Sequence, residues 1–148
     1  MGYFDEPTND DWKNDISPVA AIQRMDDMKA YLVAHRISSS VIFSHASNSA
    51  ESRAVQWLAY EDKARMDIPP VDMSPTEAYP FIARYILAVL YFSTDGPNWR
   101  LKFDFLSERD TCEWSGDVYD ENGESVSLGV SCDEDGNIIE INLSKLSV

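Results

Sequence analysis

Basic residues are scarce in this 148-residue chain. It carries 12 lysines and arginines against 26 aspartates and glutamates, which gives a formal net charge of −14. A surface that binds nucleic acid must neutralise phosphates with cations, so this composition excludes nucleic acid as a partner. Anionic membrane surfaces are disfavoured for the same reason.

Long apolar runs are also missing. The longest run extends from Phe81 to Phe92 and is interrupted by Arg84, whereas a membrane-spanning helix needs about 20 apolar residues. The run therefore predicts a buried helix, and we expect no transmembrane segment and no membrane contact by this chain itself. The first residues, Met1 to Pro7, lack the basic and apolar regions of a secretory signal peptide.

Residues that support metal, phosphate or nucleophilic chemistry are few. Cys112 and Cys132 are too few for a zinc cage, and His35 and His45 lie far from them in the sequence. The six glycines form no phosphate-binding loop. The acidic turn at 133–136 lacks the bidentate glutamate of an EF-hand. We therefore expect no catalytic residue, no cofactor, no metal and no enzyme activity.

The N-terminal residues are acidic and polar. Residues 1–16 predict a disordered lead-in, in which Trp12 is a candidate tether. Ser17 then has the character of an N-cap, and Pro18 suits the first position of a helix. Apolar residues recur at spacings of three and four after this point, which predicts an amphipathic helix over about 18–36.

Residues 17–73 form one predicted helical region. After the first helix, the short apolar run 41–43 predicts a buried extended segment. A second helix fits about 50–61, with a buried side that includes Trp57 and Leu58. Residues 62–73 contain two adjacent prolines and predict a connector.

A central helix follows the connector. Ser74 and Glu77 have the spacing of a capping box, and the helix is expected to restart at Pro80. Nearly every side is apolar as far as Tyr91, so we expect this helix to be covered on several faces. Its one charge, Arg84, is expected to reach the surface or to pair with an acid.

The end of the central helix and its core are also predicted. Asp95-Gly96-Pro97 terminates the helix, with Gly96 as the left-handed cap. Leu87 and Leu90 are the expected core residues of this helix.

Helical periodicity disappears after Trp99. Asn122-Gly123 lies between the apolar residues Val118 and Val126, which predicts a β-hairpin with a type I′ turn. A second turn at 135–137 leads into an apolar segment that predicts a further strand.

The final segment, 138–148, has the apolar spacing of one leucine-rich repeat, a unit that needs stacked neighbours to bury its apolar side. The upstream segments 91–99, 112–116 and 129–137 read YFSTDGPNW, CEWSG and GVSCDEDGN. Together they resemble the N-terminal cap of plant-type leucine-rich repeat proteins, in the longer form met in algal members. Those caps show S-T-x-G-x-x-W and then C-x-W-x-G-V-x-C. Here 117–128 interrupts the second motif and is assigned to the inserted hairpin.

The resemblance implies an α+β fold. It consists of a helical N-terminal block, a small disulfide-linked β cap over 74–137, and the first strand of a leucine-rich repeat solenoid in the partial repeat 138–148. A disulfide between Cys112 and Cys132 is part of this pattern. Asn142 begins the one N-glycosylation sequon, which has meaning only if the parent protein is secreted. The implied cap-motif residues are Trp99, Trp114, Gly116, Gly129 and Val130, and the implied repeat core is Ile138, Ile141, Leu143, Leu146 and Val148.

The same resemblance implies a function without catalysis. The chain would seal the apolar end of a repeat solenoid, and a protein or peptide ligand would bind to downstream repeats. The parent protein would be receptor-like and membrane-anchored, with this segment on the extracellular or secretory-pathway side. Two alternatives stay open: a secreted repeat protein that inhibits an enzyme, and a free-standing acidic helical adaptor whose last residues only mimic a repeat.

Overall fold

The computed structural model describes residues 17–45 and 48–144. Helices occupy the first two-thirds, and a small antiparallel sheet with one disulfide follows, so the mixed helix-and-sheet architecture is confirmed. The predicted lead-in at 1–16 and the repeat residues Leu146 and Val148 lie outside the described residues. The elements are α1 (Pro18–Ala34), α2 (Ser40–His45), α3 (Ala50–Gln56), a π-helix (Trp57–Glu61), α4 (Tyr79–Ser93), 3₁₀ turns at Gly96–Asn98 and Thr111–Glu113, β1 (Ser115–Tyr119), β2 (Ser125–Cys132) and β3 (Ile138–Asn142).

Helix α1 begins where the sequence predicts. The Ser17 hydroxyl oxygen accepts a hydrogen bond from the Ala20 amide at 3.1 Å, and Pro18 occupies the first turn. The helix ends at Ala34, and Met28 and Leu32 are buried on its inner side.

The apolar run at 41–43 is helical, so the predicted extended segment is wrong. It lies in α2, and Val41 is 58% exposed. The Ser39 hydroxyl accepts a hydrogen bond from the Val41 amide at 3.2 Å, which starts the turn. Three apolar residues are too few for periodicity to distinguish a strand from a helix.

The predicted second helix is confirmed, but its last turn widens. Residues Ala50–Gln56 form α3, and Trp57–Glu61 continue as a π-helix. The Asp62 amide donates to the Trp57 carbonyl at 2.8 Å, a bond that spans five residues. The wider turn places Asp62 inside the molecule, where it is 2% exposed.

The central helix restarts within one residue of Pro80, as predicted, but the segment before it is not helical. Ser74 accepts a hydrogen bond from the Glu77 amide at 3.2 Å, but this forms only a turn, and α4 begins at Tyr79. Leu87 is buried as predicted and Leu90 is half-buried. Ile86 is 50% exposed, so one side of α4 faces solvent.

The helix end contains a second correction. Asp95, with φ of 58°, adopts the left-handed conformation that the sequence assigned to Gly96. Gly96 is needed for a different reason, because a Cβ atom there would overlap the ring of Tyr91.

The predicted hairpin is present, but its turn is not type I′. β1 pairs antiparallel with β2, and β2 pairs antiparallel with β3. A type I′ turn needs positive φ at both central residues, and here Gly123 has a φ of 76° while Asn122 does not share it. The Asp120 carboxylate instead accepts from the Asn122 and Glu124 amides at 2.9 and 2.8 Å. That carboxylate fixes the loop without a second left-handed residue.

The helices and the sheet share one hydrophobic core. Trp114 and Val130 of the sheet region belong to the same buried cluster as Leu32 of α1 and Leu87 of α4. The sheet is therefore held against the helices by side-chain packing as well as by chain connectivity.

Candidate functional site at the disulfide-linked sheet

The disulfide joins the 3₁₀ turn before the sheet to the end of β2. Cys112 and Cys132 are bonded, with Cα atoms 5.6 Å apart and a sequence separation of 20, so the predicted pairing is confirmed. Upstream, the Asp110 carboxylate accepts a hydrogen bond from the Cys112 amide at 2.9 Å and caps the turn. The bond fixes β2 at the point from which the chain turns into β3.

Six aromatic side chains form a continuous column between the helices and the sheet. Neighbouring ring centroids lie 5.1–6.1 Å apart, within the range of favourable aromatic contacts. The Trp99 indole N–H donates to the Thr94 carbonyl at 3.0 Å, and the Trp114 indole N–H donates to the Arg109 carbonyl at 3.2 Å. Both predicted tryptophans are thus satisfied core residues. The column runs in the order Phe92, Tyr91, Trp99, Phe105, Trp114 and Trp57.

Two glycines of the cap motif lie where a side chain would not fit. Gly129 has a φ of 87°, and a Cβ there would lie 2.8 Å from the Cα of Ser115 on β1. A Cβ on Gly116 would approach the ring of Phe103 to 2.8 Å. Val130 follows Gly129 and is 1% exposed. The Gly-Val pair therefore combines a close strand approach with a core side chain.

A buried ion pair lies beside the column. Arg84 and Asp62 are each 2% exposed, and the Arg84 Nε and Nη2 atoms donate to the two Asp62 carboxylate oxygens, both at 2.6 Å. Arg84 also donates to the carbonyls of Ser107 and Arg109 at 2.6 and 2.9 Å. Its guanidinium carbon lies 5.2 Å from the centroid of Trp57. The same carbon lies 4.9 Å from the centroid of the Trp114 ring. We call Arg84, Asp62, the two carbonyl groups and the two indole rings the Arg84 cluster.

The sequence did not identify Asp62 as a member of this cluster. It allowed an acidic partner for Arg84 but did not name Asp62, because that residue lies in a polar, proline-containing connector. Two signals were present: Asp62 follows directly on an apolar helix end, and Arg84 is the one charge in an apolar helix. Buried charges are usually paired, so the two signals together point to an acid near a helix end. Of the two predicted roles of Arg84, pairing with an acid is confirmed, and the side chain does not reach the surface.

β3 forms one edge of the described sheet, in the order β1-β2-β3. Ile138 and Leu143 pack against the core, and the Ile138 amide donates to the Tyr79 hydroxyl at 2.9 Å. By contrast, Ile139 is 67% exposed and Ile141 is 41% exposed. Of the predicted repeat-core residues that the structure describes, two are therefore packed and one is open.

The backbone N–H and C=O groups of Ile141 point away from β2, towards the free side of β3. Ile141 lies opposite Val130 in the antiparallel register, and the Val130 amide donates to the Trp114 carbonyl on the β1 side at 3.0 Å. In such a non-hydrogen-bonded pair, the two residues direct their N–H and C=O groups outward, on opposite sides. The Ile141 groups thus face the free side of β3, and no strand of the described part of the chain covers them.

The turn before β3 is fixed by one carboxylate. Asp133 accepts hydrogen bonds from the backbone amides of Asp135 and Asn137, both at 2.9 Å. These bonds, led by the one from Asn137, lower the pKa of the Asp133 carboxyl below its ordinary value. The same arrangement occurs at Asp120 before β2, so both hairpin turns use an aspartate clamp.

Asn142, the predicted glycosylation residue, is tied to its neighbours. Its side-chain oxygen accepts hydrogen bonds from the amide and hydroxyl of Ser144 at 3.1 and 2.7 Å. Its side-chain nitrogen donates to the Ser127 carbonyl at 3.2 Å. The Asn142 side chain thus links the end of β3 to β2.

No cluster of metal-binding side chains occurs among residues 17–45 and 48–144. No helix in this same portion is long and apolar enough to cross a membrane. No protein-family model, curated protein or solved structure matches the chain.

Proposed function

We propose that this chain is the N-terminal cap of a leucine-rich repeat solenoid, with β3 as the first strand of that solenoid. The observation that carries the proposal is the open edge of β3. The Ile141 peptide group is directed away from β2, and Ile139 and Ile141 are exposed beside it. Such an edge offers hydrogen bonds and apolar surface to a following strand.

The rest of the fold supports the same role. A terminal cap must present a stable, closed body on one side and a stacking surface on the other. Here the closed side is built from the aromatic column, the Arg84 cluster and the disulfide. The hydrogen bonds to Asp133 then fix the turn from which β3 begins.

In this proposal the chain itself does no chemistry. Downstream repeats would bind a protein or peptide ligand, and the parent protein would be receptor-like. The disulfide supports a place on the extracellular or secretory-pathway side of a membrane, because disulfides persist in oxidising compartments. Asn142 would then be available for glycosylation during synthesis.

Hydrogen exchange at Ile141 tests the proposal. We expect this amide to exchange fast in the dilute monomer, since it faces the free side of β3, while the amides of α4 are protected. Fusing several consensus leucine-rich repeats directly after Val148 should slow exchange at Ile141 and raise the melting temperature. The matched control joins the same repeats through a long Gly-Ser linker, which attaches them without enforcing stacking.

Two outcomes would contradict the cap. If Ile141 is as protected as α4 in the unfused monomer, the edge is already satisfied and the free-standing adaptor becomes the better interpretation. If direct and linker fusions give the same exchange and the same melting temperature, the repeats do not stack on β3.

A further inference from the structure

The tip of the β1–β2 hairpin carries the dipeptide Asn122-Gly123 in an open loop. Both residues are exposed, and a Cβ atom on Gly123 would have no neighbour within 4 Å. The Gly123 amide donates to the Asp120 carbonyl at 3.0 Å. An exposed turn bond of this kind opens readily without disturbing the rest of the molecule. The amide nitrogen of Gly123 is therefore accessible to the side chain that precedes it.

An asparagine side chain can react with the backbone that follows it. The amide nitrogen of the next residue attacks the side-chain carbonyl carbon and closes a succinimide ring. Glycine favours this step, because it has no Cβ atom beside its nitrogen and adopts many backbone conformations. A β-branched residue at the same position hinders the step, because it is bulky and stiff.

We propose that Asn122 is a site of spontaneous deamidation, with the Gly123 amide nitrogen as the nucleophile. That nitrogen bonds to Cγ of Asn122, and the bond from Cγ to the side-chain nitrogen breaks, so that ammonia leaves with the proton of the Gly123 amide. Water then adds to either carbonyl carbon of the ring and opens it. Opening at Cγ gives aspartate, and opening at the main-chain carbonyl gives isoaspartate, whose backbone continues through the side chain. Nothing is oxidised or reduced, since water enters and ammonia leaves.

The second hairpin turn contains an internal control. The side-chain nitrogen of Asn137 donates to the Asp133 carboxylate at 3.3 Å. The amide that follows, that of Ile138, donates to the Tyr79 hydroxyl at 2.9 Å, and the Ile138 side chain packs against the core. Both reacting groups are thus held, and a β-branched residue follows the asparagine. Asn122 and Asn137 therefore lie in similar aspartate-clamped turns but differ in reactivity.

Reaction at Asn122 changes the hairpin turn in two ways. It adds a carboxylate near Asp120, Glu121 and Glu124, so that like charges repel at the tip. Isoaspartate also lengthens the backbone of the loop, which alters the spacing of the two amides that the Asp120 carboxylate accepts. The expected product has a looser hairpin tip on an otherwise intact fold.

Peptide mapping by mass spectrometry tests the proposal on the folded chain, held at neutral pH and physiological temperature. Deamidation is detected as the gain in mass when NH₂ is replaced by OH. We expect conversion at Asn122 to be at least about tenfold faster than at Asn137, because the hydrogen bonds that must be broken at Asn137 add to the barrier. Hydrogen exchange on the converted sample should become faster at the Glu124 amide and stay unchanged in α4.

The control variant is Asn122→Gln. Glutamine keeps the side-chain amide and the neutral charge, but its longer side chain does not close the succinimide ring. Incubation of this variant should give no conversion at position 122 and no change in hydrogen exchange at Glu124. Both signals are then assigned to Asn122.

Two results would overturn the proposal. If Asn122 stays intact in the folded chain over the time in which the urea-unfolded chain converts, the turn protects it. If Asn122 and Asn137 convert at equal rates in the folded chain, the glycine and the open loop have no influence. Neither result bears on the β3 edge, so failure here is distinguishable from failure of the cap.

Discussion

Two regions of the molecule, the Arg84 cluster and the β3 edge, differ in how their polar groups are satisfied. At the Arg84 cluster, a buried guanidinium donates to one carboxylate and two carbonyls, with indole rings beside it. At the β3 edge, the peptide group of Ile141 faces outward and its side chain is exposed. One region has its polar groups paired within the chain, and the other leaves backbone groups on the free side of β3 in the described sheet.

This contrast predicts which region contributes most to the free energy of unfolding. Buried polar groups are expensive to leave unpaired, so disturbing the closed region should destabilise the whole molecule. Exposed groups at an edge already interact with water, so changes there should matter little until another strand is added. Four predictions test this difference, in order of decreasing effect.

The largest effect is expected from breaking the buried ion pair. Asp62→Asn removes the negative charge while Arg84 stays buried, which should lower the free energy of unfolding by about 3–5 kcal/mol. The denaturation midpoint in urea measures this. The matched control is Glu113→Gln, since Glu113 pairs with Arg109 at the surface, both about half exposed, and such pairs contribute about 0–1 kcal/mol. Equal denaturation midpoints for the two variants would show that the buried ion pair contributes no more to stability than the surface pair does, against the prediction.

A core deletion in α4 should cost nearly as much. Leu87 is 1% exposed, and Leu87→Ala should lower the free energy of unfolding by about 2–5 kcal/mol because it leaves a cavity. Ile139→Ala, at a side chain 67% exposed on β3, should stay within about 0.5 kcal/mol. Urea denaturation measures both variants. Similar decreases in the free energy of unfolding at Leu87 and Ile139 would show that the core and the β3 edge do not differ.

The disulfide should contribute an intermediate amount. Replacing Cys112 and Cys132 together by serine should destabilise the chain by roughly 3 kcal/mol, since the bond closes a loop of about 20 residues in the unfolded state. Mass spectrometry without reduction checks that the bond exists in protein from an oxidising compartment. Two free thiols in that sample would contradict the prediction.

The smallest effect concerns Tyr85 and appears only at high pH. Burial raises the pKa of the Tyr85 phenol from 10.0 to about 12, and its hydroxyl lies 2.7 Å from the Ser38 hydroxyl. The neutral phenol therefore contributes stability that is complete below pH 10 and is lost as the pH rises towards 12. Tyr85→Phe should flatten this decline between those two values. Thermal denaturation at each pH measures the decline. If stability declines equally in the unsubstituted protein and in Tyr85→Phe, other groups cause it.

Local chemistry was sufficient for the elements that carry their own signals. The Ser17-Pro18 start of α1 and the Asn-Gly loop of the hairpin were located correctly, because caps and turns act over a few residues. The errors arose where several local solutions are equally good. Asp95 adopts the left-handed conformation that was assigned to Gly96, whereas Gly96 is needed because a Cβ there would overlap the Tyr91 ring.

The candidate site divides in the same way. The pairing of Cys112 with Cys132 came from the family resemblance and is confirmed by the structure. The partner of Arg84 could not be read from the sequence, because 22 residues and a connector separate it from Asp62. Only the packing of α4 against α3, which the π-helix continues as far as Glu61, brings the two charges together.

The sequence by itself determined the charge, the absence of long apolar runs, the main helices and the succession of strands, because each follows from composition or from contacts between near neighbours. Only the tertiary structure decided that Arg84 is buried, that Val41 is exposed, and that the Ile141 side chain is 41% exposed while Leu143 packs against the core. Those outcomes depend on which surfaces meet across long sequence separations. A periodic pattern specifies that a side chain has an apolar side, but only the packed neighbours specify which side is covered.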